Sequence, residues 1–291
     1  MSWNFPYGSP TAIRDILEVN GLAMSKKFGQ NFLLSETVRE KIVSLMDLDQ
    51  SKQVWEIGPG IGALTTLLLD SKAEVTCFEI DHGFCRILSG QAFLDMPNFH
   101  LVEGDALKSW EMQWKRHGTP DVICGNLPYN VGSVCIANLL EKGCRPERMV
   151  YTLQKEVACR LCANPGNKDW STLSILAQVD YDCRIAMDIS NGAFYPVPKV
   201  VSSVTVLEKK KEPMVPAEEY QFFLLVVKDL FHQRRKTVRN NLLSGKSGAM
   251  VGRDAVLDSL LAAGIRDSER AEKLEIAQIV ELARIIGTRV H

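Results

Sequence analysis

The sequence predicts an α/β chain, a doubly wound parallel sheet followed by a small C-terminal all-helical domain. Two observations carry this. From residue 53 to about 155, short apolar runs of strand length alternate with segments of helical periodicity, the pattern of right-handed βαβ units. Beyond residue 213 the periodicity is helical throughout, with no strand signal. The chain has 291 residues, 46% hydrophobic and 24% charged, enough for one large and one small domain. The expected division is 1–208 and 209–291.

Taken in order, Ser9 as cap, Pro10 in the first turn and Gly21 as terminator predict a helix over 9–21. A basic, aromatic stretch from Lys26 to Leu33 follows. Ser35 then caps an amphipathic helix with apolar Val38, Ile42, Val43 and Leu45. Strands are expected at 54–57, 75–78, 99–102, 122–124 and 149–153. Two more, at 183–187 and 203–207, flank the turn-rich stretch 191–199 and predict an antiparallel hairpin with a long loop. The charged run 208–213 predicts a linker, and helices are expected at 217–231, 253–263 and 271–286.

Composition narrows the class. Formal net charge is −1, so a nucleic-acid-binding role would have to rest on local clusters of cations rather than on overall charge. Eight cysteines fall largely in apolar runs and read as small hydrophobes rather than as a disulfide framework. Cys159 and Cys162 form a single CxxC without a second pair, so no metal site is expected. The N-terminal residues lack a signal-peptide pattern, and the longest apolar run, 222–227, is far too short to cross a bilayer. A cytoplasmic, membrane-independent, monomeric protein is the expectation.

The first expected strand runs into Gly58-Pro59-Gly60-Ile61-Gly62, with Glu56 just before it. Glycines at this place let the backbone pass close to a ligand at a helix N-terminus. Alone the loop also fits an NAD enzyme or a tight turn, but the spacing is GxGxG rather than the GxGxxG of dinucleotide sites, and no pyrophosphate need be cradled if the ligand is S-adenosylmethionine. Glu79 ends the second strand, where an acid can accept hydrogen bonds from both ribose hydroxyls. Asp105, after the third strand, can accept from an adenine amino group.

Asn126-Leu127-Pro128-Tyr129 follows the fourth strand, at the end where open α/β sheets place their chemistry. An adenine amino group is a poor nucleophile because its lone pair is delocalised into the ring. The Asn126 side-chain oxygen and the Leu127 carbonyl can each accept one of its hydrogens, favouring a tetrahedral nitrogen. Pro128 stiffens the turn, and Tyr129 offers a ring face to an extruded base. Such a site needs orientation more than a strong base.

The run KKFGQNFL at 26–33, EIGPGIGALT at 56–65, Glu79-Ile80-Asp81, GDAL at 104–107 and NLPY at 126–129 resemble successive motifs of the KsgA/Dim1 ribosomal RNA adenine dimethyltransferases. QKEVA at 154–158, FYPVPKVVSS at 194–203 and FHQRRKTVRNNL at 231–242 are similar to the same family, so the resemblance spans roughly 20–290. It implies a Rossmann-like methyltransferase sheet and a helical RNA-binding tail. S-adenosylmethionine would be held by Asn31, Leu33, Gly58, Glu79, Asp105 and Asn126. The target amine would be handled by Asn126, Leu127 and Tyr129, with Phe194 stacking on the opposite face of the base. The implied substrate is a pair of adjacent adenosines in a hairpin near the 3′ end of small-subunit (16S) rRNA, each dimethylated at N6 during ribosome assembly. Two segments depart from the family pattern: Gly132-Ser133-Val134, where a Ser/Thr-Pro pair is usual, and Trp170-Ser171-Thr172, where a Tyr-Gly-Arg-like segment is usual.

Between Lys228 and Lys246 six cations, among them Arg234, Arg235, Lys236 and Arg239, face a single acid. On a helix, 235, 236 and 239 would share a face suited to phosphates; Lys26 and Lys27 would add a second basic patch. Rival readings are a large-subunit rRNA methyltransferase of the macrolide-resistance type, a ribosome-assembly factor without activity, and, more distantly, a dehydrogenase. Leu127 and Arg234-Arg235-Lys236 favour the small-subunit enzymes. Intact Glu79, Asn126 and Tyr129 favour catalysis, and no hydride-transfer acid or base is evident.

Overall fold

A computed structural model describes residues 3–22, 30–129 and 131–290. Lys26, Lys27 and the rest of 23–29 lie outside the described residues, as does Asn130. The first half of the chain runs α1 (Pro10–Val19), β1 (Phe32–Leu33), α2 (Glu36–Ser44), β2 (Gln53–Ile57), α3 (Thr65–Asp70), β3 (Glu74–Glu79), α4 (His82–Ile87), β4 (Phe99–Glu103), α5 (Ala106–His117), β5 (Val122–Asn126), α6 (Gly132–Lys142) and β6 (Arg148–Gln154). Then come α7 (Lys155–Leu161), α8 (Thr172–Gln178), β7 (Tyr181–Ile189), β8 (Phe194–Tyr195) and β9 (Ser202–Lys209). The tail holds α9 (Tyr220–Leu230), α10 (Val238–Ser244), α11 (Lys246–Val251), α12 (Arg253–Ala262) and α13 (Ile276–Gly287).

All seven expected strands form one sheet in the order β4-β3-β2-β5-β6-β9-β7. The first five are parallel, and β9 runs antiparallel to β6 with Met149 opposite Leu207. Their near-continuous apolar runs follow from burial on both faces: Val54, Val75, Cys77, Ile123, Cys124 and Val150 are all inaccessible. The expected hairpin is present as the adjacent pair β9 and β7. Its long loop holds β8, which pairs antiparallel with β1 through Phe32–Tyr195 and Leu33–Phe194. This second, two-stranded ribbon is absent from the expectations.

Helix ends follow the capping chemistry. The Ser9 hydroxyl accepts from Ala12 N at 3.2 Å at the start of α1, Ser35 accepts from Val38 N at 3.4 Å in α2, and Gly21 turns the chain with φ +65°.

The chain divides into two compact units, 1–158 with 184–209 and 159–183 with 210–291. The break was expected after residue 208, and one of the crossings between units falls after residue 209. The excursion 159–183, carrying α8, belongs with the tail and was not anticipated. Within that second unit Trp170 is buried, and Ser171 opens α8 through a reciprocal capping pair with Ser174. One departure from the family pattern is thus a core anchor and a helix cap. Lys210 is not a solvated linker residue: its N–H donates to the Asp180 carbonyl at 2.9 Å and its Nζ to the Gln178 carbonyl at 2.7 Å. No helix among the described residues is long and apolar enough to cross a membrane.

Candidate active site

The strand order reverses direction between β2 and β5, and an open α/β sheet leaves a crevice outside the carboxyl ends of its strands at such a point. A cavity of ≈ 270 Å³ lies there, walled by 30–33, 56–60, 78–80, 104–107 and 126–128. Asn31, Leu33, Gly58, Glu79, Asp105 and Asn126, the six expected cofactor contacts, all line it together with Leu127. Tyr129 and Phe194 are not part of its wall.

The glycine loop leaves β2 with Gly58 N donating to the Phe78 carbonyl at 2.9 Å. Gly58 and Gly60 have φ of +72° and +60°, a region that side chains other than hydrogen enter only with strain. Around Gly58 and Gly60 there is room, so the backbone conformation is what demands glycine there.

Glu79 is buried at the end of β3. Its Oε2 accepts from Gly60 N at 3.0 Å and its Oε1 from Asp81 N at 2.9 Å, so the carboxylate is braced between the glycine loop and the start of α4. Burial pushes its pKa up to about 7 against the pull of those N–H groups. Two carboxylate oxygens offer about four lone-pair directions, more than these N–H groups occupy. Asp105 is the N-cap of α5, with Oδ1 accepting from Leu107 N at 3.0 Å. Its helix-capping role and its place in the cavity wall coexist.

Glu56 is deeper still. Thr65 Oγ1 donates to its Oε2 at 2.6 Å, and Cys77 and Cys124 stand opposite it on the two neighbouring strands. Burial, with a smaller contribution from Glu79, pushes its pKa up to about 7. Both carboxyls open on a cavity to whose wall the described residues contribute no basic side chain. Residue-by-residue reading passed over the apolar walls, Ile57, Ile80, Phe84 and Leu107. Ile80 is the one with a sequence signal, a large apolar residue directly after a strand-end acid, and it is 42% exposed.

Asn126 ends β5. Its Nδ2 donates to the Asn31 carbonyl at 2.8 Å, which fixes the amide plane. Leu127 is buried and anchored by its N–H on the Thr152 carbonyl at 3.1 Å. Tyr129 is half-buried, with its hydroxyl 2.7 Å from Ser202 Oγ. Gly132, in the other departure from the family pattern, opens α6 against this motif. An added Cβ would sit 2.8 Å from Leu153 Cδ2 and 3.5 Å from Leu127 Cβ, so the helix start packs closely enough that the end of Leu153 would have to shift to admit a side chain.

Phe194 differs from expectation. Its ring is 1% exposed and belongs to the core with Leu33, Ile42 and Ile189, so it presents no open face in this conformation. The basic cluster differs too. Arg234, Arg235 and Lys236 lie in a turn between α9 and α10 rather than on a helix face, because Thr237 starts α10 by accepting from Asn240 N. Arg234 pairs with Glu272 at 3.5 Å and Arg239 with Asp267 at 2.8 Å, while Arg235 and Lys236 are exposed.

The family model for ribosomal RNA adenine dimethylase matches residues 21–287. The chain is 41% identical over 283 residues to the ribosomal RNA small subunit methyltransferase A of Treponema denticola, covering 97% of this chain and 96% of that one. It is 41% identical to the protein of the same name from Syntrophotalea carbinolica, over 90% of this chain and 96% of that one. Among solved structures, a dimethyladenosine transferase from Plasmodium falciparum superposes with a TM-score of 0.75 at 22% identity, over 88% of this chain and 97% of that one. The 23S rRNA methyltransferase ErmE superposes with a TM-score of 0.65 at 23% identity, over 88% and 99%. These two likenesses speak to the Rossmann-like fold alone.

Proposed function

The chain belongs to the ribosomal RNA adenine dimethylase family, and from that premise we propose that it dimethylates N6 of two adjacent adenosines in a hairpin near the 3′ end of small-subunit rRNA. The methyl donor is S-adenosylmethionine. The curated relatives named for the small subunit favour this substrate over the large-subunit alternative, which shares the fold. The observation that carries the reading is the juxtaposition, in one cavity, of the Glu79 carboxylate and the oriented Asn126 amide.

The residues present suit the cofactor. Glu79 supplies paired acceptors for a ribose, Asp105 an acceptor at the adenine end, and Ile57, Ile80, Phe84 and Leu107 apolar walls for a flat purine. The two buried carboxyls, with no basic side chain in the cavity wall among the described residues, suit a ligand that brings positive charge. When bound, S-adenosylmethionine supplies an electrophilic methyl group on a sulfonium. Asn31, Leu33 and Gly58 would hold its remaining parts.

With Nδ2 engaged on Asn31, the Asn126 Oδ1 is the acceptor left to receive one N6–H of the target adenine, and the Leu127 carbonyl receives the other. Held this way, the nitrogen would present its lone pair out of the ring plane to the methyl group that the cofactor supplies, and the proton shed on methylation would pass to water. Placing the amine is the protein's main contribution. The Tyr129 ring, anchored by Ser202, would stack on the base. Phe194 would join it only after leaving its buried position.

The exposed Arg235 and Lys236 support the reading of the second unit as an RNA-binding module. A cytoplasmic monomer acting on immature small subunits is the setting we propose, and eight free thiols suit a reducing compartment. The test is methyl transfer from labelled cofactor to small subunits lacking adenine dimethylation, with mass mapping of the RNA. N6,N6-dimethyladenosine at two neighbouring 3′-end positions is expected. Label in large-subunit rRNA instead would move the protein to the alternative branch, and tight binding without label would make it an assembly factor.

A further inference from the structure

Residues 3–20 precede the stretch matched by the family model, yet they are built into the first unit against the cofactor cavity. Tyr7 is 5% exposed. Its hydroxyl donates to the Ile61 carbonyl at 3.1 Å and lies 3.0 Å from Thr66 Oγ1, while Trp3 Nε1 donates to it at 2.9 Å. Ile61 is the fourth residue of the glycine loop, and Thr66 is in the first turn of the helix that follows. Thr66 Oγ1 also donates to the Gly62 carbonyl at 3.0 Å.

The contact continues beyond one hydroxyl. The Arg39 guanidinium lies 5.1 Å from the centre of the Tyr7 ring and donates to the Ala63 carbonyl at 3.3 Å. Ile13 and Leu17 of α1 form a buried cluster with Ile61, Phe32, Phe84 and Ile87. Leu22 occupies the space where a side chain at Gly83 would go, two residues after the turn that braces Glu79. At the C-terminal end of α1, Gln91 Nε2 donates to Asn20 Oδ1 at 2.8 Å. The segment therefore grips both edges of the cavity, the glycine loop through Tyr7 and α4 through its apolar face and Leu22.

We propose that residues 3–22 are a buttress that presets the glycine loop for cofactor, with Tyr7 as the positioning residue. The inference rests on the reading that this cavity takes S-adenosylmethionine. Burial pushes the Tyr7 phenol up to about 12, so it keeps the proton it gives to Ile61 at any physiological pH. Loops preset by such bonds bind without the ordering cost that a loose loop incurs on each encounter. Tyr7 touches neither cofactor nor substrate in this scheme. Its effect reaches the reaction only through Ile61 and Thr66.

The test compares the full-length protein with Tyr7→Phe, Thr66→Val and the double variant. Calorimetric affinity for S-adenosylhomocysteine, amide hydrogen exchange over 58–66 without ligand, and steady-state kinetics are read together. Losing one or two hydrogen bonds predicts roughly three- to tenfold weaker binding in Tyr7→Phe. Faster exchange confined to 58–66, a raised cofactor KM and an unchanged kcat should accompany it. The double variant should lose less than the product of the singles, because the two hydroxyls are in contact, 3.0 Å apart. Thr66→Val keeps the aromatic cluster whole and so guards against a folding defect at Tyr7. If unsubstituted protein binds the ligand and Tyr7→Phe binds it within twofold, with exchange unchanged, the buttress is overturned and the site reading stands. If the unsubstituted protein binds no S-adenosylhomocysteine, the site reading fails and takes the buttress with it.

Discussion

Asn126 Nδ2 donates to the main-chain carbonyl of Asn31 at 2.8 Å, across 95 residues of sequence. That carbonyl sits just before β1, which is held in turn by pairing with β8. The amide is thereby oriented from outside its own strand, and Oδ1 is the acceptor left for an incoming amine. Asn126→Ala should abolish turnover while leaving S-adenosylhomocysteine affinity within a few-fold. Asn126→Asp would oppose a carboxylate oxygen to the Asn31 carbonyl and should lose roughly a hundredfold or more in kcat. Near-normal single-turnover rates in either variant would remove Asn126 from its assigned role.

A second prediction concerns Tyr129 and Ser202, whose oxygens are 2.7 Å apart with Ser202 fully buried. Ser202→Ala and Tyr129→Phe should each lower kcat about three- to tenfold by freeing the ring, without changing cofactor affinity. The double variant should match the singles. Additive losses would show that the pair does not act as one unit.

The two raised carboxyls make stability depend on pH in a set direction. Glu56 and Glu79 ordinarily titrate near 4.5 and are pushed to about 7 in the folded chain. The fold binds more protons than the unfolded chain between these values, so their contribution is intact below 4.5 and is lost as pH rises through 7. Glu56→Gln should therefore raise the unfolding free energy of ligand-free protein at pH 8, on the order of 2–3 kcal/mol, with little change near pH 4.5. Urea unfolding at the two pH values decides this, and an equal effect at both would exclude the titration.

Gly125 precedes Asn126 on β5, and an added Cβ there would fall on the Ile57 carbonyl oxygen of β2. The clash is with backbone across the switch point, which cannot swing aside. Gly125→Ala should cost about 1–3 kcal/mol of stability and disturb the cavity. A fully stable, fully active Gly125→Ala protein would contradict this packing.

For the second unit, replacing Arg235 and Lys236 by Glu should weaken rRNA binding. It should also flatten the dependence of log affinity on log salt by roughly 0.7–0.9 for each phosphate that is no longer neutralised. Unchanged slopes in filter binding would assign these exposed cations to solvent. Arg234, paired with Glu272, should matter less to the slope.

Much of this architecture was legible because its signals are local. A strand buried on both faces must be a continuous apolar run, and the glycine loop and Asn126-Leu127-Pro128-Tyr129 are contiguous words. The ribbon of β1 and β8 was not legible, since two residues carry no periodicity. Arg235 and Lys236 read as helical from spacing alone, but the Thr237 cap delays α10 until Val238. Phe194 carries a motif's expectation of a stacking face, whereas its pairing with Leu33 turns the ring into the core. Trp170 stood out only as a departure from the family pattern, because its burial is set by partners distant in sequence.

The path of the chain has a consequence for anyone who would cut or splice it. The chain passes between units after residues 158, 183 and 209, so no single scission separates them. A fragment beginning at Lys210 would lack α8 and Trp170, and the remainder would carry Ile175, Leu176 and Trp170 without the helices they share a unit with. Exchanging tails between relatives at the 209/210 junction should yield insoluble or unfolded chimeras. Grafts that move 159–183 together with 210–291 are the ones expected to remain intact.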